Sequence, residues 1–347
     1  APNRLDPAIC AQLRASILLA GPLLARFGQV TLPPPGGDVI GRRRVDTHFL
    51  ALERLGAEVT IGAEYRVEAR TLTGADIFLD EPSVTATENA LMAASRARGT
   101  TILRNAASEP HVQDLARALV AMGASIDGIG TNLITIRGVD RLQGTTLEVG
   151  PDHIEVGSFI GLAAVTNGRI VIDGVRPDDL RGTLLQFERL GIRPRLDGTK
   201  LIVESSQERR VRPDLGGHIP KIEDGPWPAF PADLMSIATV VATQCEGQIL
   251  IFEKMFESRL FFVDKLIGMG ARIVLCDPHR IVIAGPSELR GSVVASPDIR
   301  AGMAMLLAAL AAEGESVIHN IEQIDRGYER IDQRLKSLGA KIERVTE

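Results

Sequence analysis

Two glycine signatures recur in phase along the chain, and any fold proposed for it has to repeat on the same beat. The first closes a helix-like stretch with Leu-Gly or Met-Gly: ERLGAEV, VAMGASI, ERLGIRP, IGMGARI and KSLGAKI. Its glycines, Gly56, Gly123, Gly191, Gly270 and Gly339, lie 67, 68, 79 and 69 residues apart. The second places a glycine before alternating apolar residues, at Gly28 (FGQVTL), Gly99 (RGTTILRN), Gly168 (NGRIVIDG), Gly247 (EGQILIFE) and Gly314 (EGESVIHN). Each repeat reads as an amphipathic helix closed by Gly, a strand, a second helix closed by Gly, and one or two further strands.

The helices before the second signature, such as RASILLAGPLLARFG, GSFIGLAAVTNG and RAGMAMLLAALAAEG, are apolar nearly all round, which predicts burial on every side. One repeat cannot supply that cover, so several must group around shared internal helices with sheets outside, in closed multi-unit domains. The longer interval between Gly168 and Gly247 contains SSQERRVRPDLGGH, a polar stretch expected to be an exposed excursion. Fourteen residues before the second signature stand Arg14, Thr85, Ile154, Asp233 and Arg300, where the buried helices should begin. A helix start offers free N–H groups and the positive end of its dipole to anions, so starts that carry two arginines suit a phosphate basin. Asp233 is the exception there, and from position alone helix capping is its commoner role.

Composition narrows the classes. With 347 residues, 45% hydrophobic content and a formal charge of -5, the chain fits a soluble protein of about two domains. Aromatics at 4% and a mildly acidic balance argue against a nucleic-acid platform. Cys10, Cys245 and Cys276 are odd in number and widely spaced, which implies neither a disulfide framework nor a zinc site and makes the reduced cytoplasm the expected compartment. No apolar run reaches the roughly 18 residues of a membrane helix. No metal or organic cofactor is expected. The chain opens on Ala1 and runs at once into a helix-like stretch, from which a missing N-terminal portion is expected.

The densest chemistry lies in LPPPGGDVIGRRRVDTHF, residues 32–49, with three glycines, two acids, three arginines and a histidine. PGG, then Cys or Asp, two residues, Gly, a basic-rich step and Asp-x-His resembles the signature of the UDP-N-acetylglucosamine 1-carboxyvinyltransferases. The resemblance continues through SVTATEN (83–89), NAASEP (105–110), PDHIE (151–155), PAFPADLM (228–235), FESR (256–259), DIRAG (298–302) and IDRGYER (324–330).

That resemblance implies an α/β fold: a two-domain inside-out α/β barrel of βαβαββ-type repeats, like that of EPSP synthase, with the active site between the domains. The domains would be 1–149, carrying the catalytic loop, and 150–347. Of six family repeats the sequence supplies five; by resemblance, the absent stretch holds one repeat and a Lys-Asn pair. The implied substrates are phosphoenolpyruvate and UDP-N-acetylglucosamine, with no nucleic-acid or membrane partner. Asp38 falls on a loop position that is Cys in most of the family, and Asp233 on the acid thought to deprotonate the sugar hydroxyl, which overrides the capping reading. Asp38 is then the leading acid. Members with Cys at that position are alkylated by the epoxide fosfomycin, so resistance is implied here.

Arg14, Arg43, Arg259, Arg300 and Arg326 match substrate-binding arginines, with Arg43 and Arg326 best placed for phosphoenolpyruvate. Arg43, Arg44, Val45, Asp46 and Thr47, then Glu81, Pro82, Ser83 and Val84, with Met255, match contacts to the uridine nucleotide. His48 lies beside that pocket, with packing or capping about as fitting a role. Arg44 stands where Pro is usual, Glu81 where a basic residue is common, and Ser108 where Arg is often found. Two other readings stay open: the sister reaction on shikimate phosphate, and a non-catalytic paralogue that binds the UDP-sugar.

Overall fold

The computed structural model of the chain describes residues 5–38 and 40–345. The chain separates into two compact units, Ala1–Asp38 with Arg43–Gly150, and Val39–Arg42 with Pro151–Glu347.

In the first unit, strands Gln29–Leu32, Tyr65–Glu68 and Glu58–Ile61 form an antiparallel sheet with Tyr65–Glu68 in the middle. A second sheet runs Asp76–Phe78, Thr100–Arg104, Leu133–Arg137, Ser125–Asp127, and its first pair is parallel. Between them pack two helices, the largely buried Val84–Ala94 and Ala20–Phe27, which buries Ala20, Gly21 and Leu24 but leaves Phe27 exposed, so the all-round burial expected of RASILLAGPLLARFG is not met. Gly21 permits their close approach, because a Cβ there would lie 2.5 Å from the Asn89 carbonyl oxygen.

The second unit repeats the scheme with three central helices, His153–Thr166, Met235–Thr243 and Ile299–Ala311, each packed on the other two. All nine residues of Met235–Thr243 are buried, as its apolar sequence requires. Sheets of three, four and two strands cover them. Asp152 and Asp298 cap two of these helices, each accepting two backbone N–H bonds on Oδ1. The helices touch at small residues: a Cβ on Gly161 would lie 2.5 Å from Ile237 Cγ2 and 3.2 Å from Leu307 Cδ2.

The first glycine signature behaves as expected, since all five of its glycines hold φ between 75° and 104°, one residue past a helix C-cap. The second signature does not close helices uniformly. Gly28 caps Ala20–Phe27, but in the third repeat Asn167 takes the left-handed position instead of Gly168. At Gly99, Gly247 and Gly314 the helix has already ended at Ala94, Thr243 and Ala311. There the preceding residue forms a parallel bridge instead, Arg98 with Thr73, Glu246 with Arg210 and Glu313 with Arg290. The glycine thus turns the chain from that bridge into the sheet.

The polar excursion 205–218 is mostly exposed, with Leu215 at 97%. Its Val211 is nonetheless buried and donates its N–H to Glu246 O at 2.8 Å, so part of the excursion completes a repeat. Among the described residues, no helix is long and apolar enough to cross a membrane.

Replacing Gly161 by Val tests the three-helix contact. Helix propensity favours the change, but overpacking against Ile237 and Leu307 opposes it and dominates. Chemical denaturation should show a loss of about 1–3 kcal/mol or more; unchanged stability would mean that the helices do not meet there.

Candidate active site

In the second unit the starts of the central helices carry the polar groups. Asp233 lies in the 3₁₀ turn Ala232–Leu234 that leads into Met235–Thr243, where Pro231 holds the cap position. Capping is therefore not its role. Its carboxylate sits between two guanidinium groups: Arg259 Nη2 donates to Oδ1 at 2.5 Å and Arg300 Nε to Oδ2 at 2.9 Å. Burial pushes the Asp233 pKa up, but Arg259 and Arg300 pull harder and hold it at about 2. Burial opposes the charge on Arg300 as well, yet Asp233 and Tyr328 raise its pKa above the usual arginine value.

Arg259 is the more enclosed cation, with its side chain 8% exposed and its guanidinium 4.9 Å from the Phe256 ring centroid. Its Nε–H is buried and meets no acceptor among the described residues. A buried arginine with one unused donor beside a carboxylate can still take an anionic group.

A chain of hydroxyl groups fixes Arg300. Its Nη1 donates to the Tyr328 hydroxyl at 3.1 Å, and that hydroxyl lies 2.8 Å from Ser158 Oγ. Ser158 donates its own proton to Ile154 O at 2.9 Å, so Tyr328 must be the donor to Ser158. Every proton in this line is assigned, and both Tyr328 and Ser158 are fully buried. Neither residue stood out from the sequence, although Tyr328 lies two positions after Arg326 inside IDRGYER. Arg326 itself is exposed at the end of helix Glu322–Asp325 and donates to Gln323 Oε1 at 2.7 Å. Met255 is 43% exposed, on the turn after strand Gly247–Phe252.

In the first unit the Gly-rich loop folds over the start of the 3₁₀ helix Arg14–Leu19, which leads into Ala20–Phe27. Gly36 N–H donates to Cys10 O, and a Cβ on Gly36 would fall 1.6 Å from Ala11 O. Gly37, at φ +108°, would place a Cβ 2.8 Å from Arg14 Cβ. Both glycines are therefore required by close backbone passage. Arg14 Nη2 in turn donates to Arg43 O at 3.2 Å and Arg44 O at 2.6 Å, which ties the helix start to the basic step. Asp38 is half-buried in this loop, and Arg43 follows after the segment that clusters with the second unit.

Arg44 is surrounded by acids: Asp46 at 2.9 Å, Asp80 at 2.6 Å and Glu81 at 3.8 Å. Thr47, just past Val45 in helix Asp46–Arg54, donates to Asp80 Oδ1 at 2.7 Å. That bond, with Arg44, draws the Asp80 pKa below the usual carboxylate value against a cost of burial. Glu81 and Pro82 lead to Ser83, whose Oγ caps Val84–Ala94. Ser108 holds Gln113 through its carbonyl oxygen at 2.8 Å.

His48 is wholly buried, with Nδ1 2.8 Å from Asn89 Nδ2 and Nε2 3.0 Å from Thr85 Oγ1. Asn89 is oriented by Gly21 N–H on its Oδ1 and by its own Nδ2 donating to Ile17 O. Nδ1 of His48 therefore accepts, and its proton sits on Nε2 toward Thr85. Burial, then the charge on Arg14, pushes its pKa down to about 3. His48 packs three segments together as a neutral ring and does not titrate near neutral pH.

Replacing Tyr328 by Phe should cost about 1–3 kcal/mol, because it leaves Arg300 Nη1 without its acceptor and Ser158 without its donor. Denaturation of the variant measures this, and a parent-like midpoint would break the proposed hydroxyl line.

The EPSP synthase (3-phosphoshikimate 1-carboxyvinyltransferase) family matches residues 2–335. The UDP-N-acetylglucosamine 1-carboxyvinyltransferase of Bradyrhizobium diazoefficiens is 68% identical over 99% of this chain and 80% of that protein. The protein of the same name from Treponema denticola is 62% identical over 98% of this chain and 80% of that protein. Among solved structures, the enolpyruvyl transferase NikO from Streptomyces tendae superposes with a TM-score of 0.83 at 25% identity, over 98% of this chain and 79% of that one. EPSP synthase from Acinetobacter baumannii, at 19% identity and a TM-score of 0.69 over 94% of this chain and 77% of that one, shares the fold. This chain belongs to the UDP-N-acetylglucosamine 1-carboxyvinyltransferases, within the EPSP synthase family.

Proposed function

We propose that the chain transfers the enolpyruvyl group of phosphoenolpyruvate to the 3′-hydroxyl of UDP-N-acetylglucosamine and releases phosphate, the first committed step of peptidoglycan synthesis in the cytoplasm. The observation that carries the chemistry is Asp233 held between Arg259 and Arg300. The family relationship selects the substrates. The sister reaction on shikimate phosphate has in its favour the wider family and a fold shared at 19% identity, against relatives that are 68% and 62% identical.

The reaction needs the hydroxyl to attack C2 of phosphoenolpyruvate while C3 gains a proton, and the resulting tetrahedral ketal then loses phosphate. In this reading Asp233 takes the hydroxyl proton and Asp38 supplies the one to C3. A carboxylate with a pKa of about 2 is a feeble base. The feature that weakens Asp233 also provides its relief: anionic groups of phosphoenolpyruvate compete for the same arginines and draw their charge off the carboxylate. The unused Arg259 Nε–H gives such a group a first foothold. Arg14, Arg43 and Arg326 complete the anion set, with Arg43 and Arg326 on the phosphate and carboxylate. The residues Arg43 to Thr47, Glu81 to Val84 and Met255 hold the nucleotide. Arg44, already engaged by three acids, serves there as a scaffold for the loop.

Phosphate release from phosphoenolpyruvate, dependent on UDP-N-acetylglucosamine, tests the reaction; release that depends on shikimate 3-phosphate instead would favour the sister activity. Asp233→Asn should lower kcat by about 10²–10⁴-fold, as loss of a general base does, while calorimetry still detects the UDP-sugar. Near-parent turnover would remove Asp233 from the chemistry.

Asp38 gives an independent test, because a thiolate opens a strained epoxide far faster than a carboxylate does. The parent should keep its activity and mass after incubation with fosfomycin, whereas Asp38→Cys should be labelled and inactivated. Labelling of the parent would show that the reactive loop position is not Asp38.

A further inference from the structure

Two acids in the second unit are buried face to face, and the reaction just described does not use them. Asp224 is 1% exposed and Glu253 is 0% exposed. They follow the paired parallel strands Lys221–Glu223 and Gly247–Phe252, where Glu223 stands opposite Phe252, so the sheet itself brings them together. Asp224 spends both oxygens on the turn that follows: Oδ1 accepts Lys254 N–H at 2.5 Å and Oδ2 accepts Met255 N–H at 3.3 Å. Glu253 Oε1 accepts Phe256 N–H at 3.2 Å. Glu253 Oε2 is buried and reaches no N–H or hydroxyl donor. What faces Glu253 is the Asp224 carboxyl, within hydrogen-bonding reach. Oxygen against oxygen in a dry site is stable only with a proton between them.

We propose that Glu253 enters the fold as the neutral acid, donates its proton to Asp224, and by that bond holds the turn 253–259 so that Arg259 faces Asp233. Asp224 is the acceptor because backbone N–H groups already surround its oxygens. With the proton in place, three successive N–H groups, of Lys254, Met255 and Phe256, are tied to the two acids, and Arg259 leaves the turn in a fixed direction. Burial first, then the bond to and charge of Asp224, push the Glu253 pKa up to about 9, partly opposed by Arg259 and the Phe256 N–H.

The other charged or titratable groups around the pair are few. Glu223 pairs with Lys221 and Lys254 on the strand side. His279 brackets the Glu253 backbone, its Nδ1 2.7 Å from Glu253 O and its carbonyl accepting Glu253 N–H. Arg280 lies over the Phe252 ring next along the chain. Glu253 is thus a positioning residue for Arg259, and it touches no reacting atom.

The sign of the pH effect follows from the raised pKa. The unfolded chain releases the Glu253 proton near its ordinary value of 4.5, and the folded chain keeps it to about 9. The neutral acid's contribution is fully present below the lower value and is lost as pH rises toward the upper one. Glu253→Gln keeps an N–H donor toward Asp224 but has no proton to lose. The ratio of folded to unfolded protein in that variant, relative to the parent, should therefore grow about tenfold per pH unit across this window. Thermal or urea melts of the full chain from pH 5.5 to 9.5 read this directly. A difference that stays flat with pH would show Glu253 already ionised in the fold and overturn the proposal.

The positioning role has its own readout. Glu253→Met, of similar size without a proton to give, should raise the KM for phosphoenolpyruvate at least tenfold, whereas Glu253→Gln stays within about threefold of the parent. Equal kinetics for Met and Gln in folded protein would overturn the link to Arg259. This inference rests on the proposed transfer reaction only in the kinetic arm. If the parent shows no transfer, that reading has failed, and the melts still decide the carboxyl pair.

Discussion

The arrangement of the second unit depends on the mutual burial of three helices that have almost no polar face to offer water. Because His153–Thr166, Met235–Thr243 and Ile299–Ala311 are covered on nearly every side, charged groups are left only at their ends. Gly157 of the first helix lies against Leu234 just before the second, and Arg300 of the third reaches Asp233, so the three starts come together. The charges gathered there sit against an apolar core, where an ion pair is strong and an unpaired ion is costly. The pairing of Asp233 with Arg300 follows from that geometry, and Arg259 joins them from the turn after strand Gly247–Phe252.

The site carries more cation than a single carboxylate needs. Arg259 and Arg300 each use one edge on Asp233, while Arg300 is braced by Tyr328 and Arg259 by the Phe256 ring. The bracing holds the guanidinium planes in place whether or not Asp233 keeps its share of them. In the proposed reaction the carboxylate is the member that changes partners when anionic substrate arrives.

Much of this was legible in the sequence because repetition exposes itself. Glycines on a beat of about 68 residues, and helices without a polar face, pointed to internal helices under sheets, and the helix starts at Arg14, Thr85, Ile154, Asp233 and Arg300 agree with the structure to within about two residues. Less legible were groups whose partners lie far along the chain. Ser158 meets Tyr328 across 170 positions, and Asp224 meets Lys254 across 30, so no local pattern marks them. The capping preference for Asp233 failed in the same way, since two distant arginines outbid the nearby N–H groups. Glycine as a universal helix closer failed differently, because at Gly99, Gly247 and Gly314 a left-handed turn is wanted for entry into a sheet, four or so residues after the helix has ended.

The parallel bridges just before those glycines bear on how the protein comes apart. In a solenoid each repeat touches only its neighbours, and unravelling can proceed one repeat at a time from an end. Here Thr73 is joined to Arg98, Arg210 to Glu246 and Arg290 to Glu313, so in these three repeats the entering segment is stitched to a strand formed after the repeat's buried helix. None of the three can detach without opening the core helix that its neighbours share. Amide protons in the central helices of a unit should therefore exchange with solvent as one cooperative block, despite a sequence that is modular on its face.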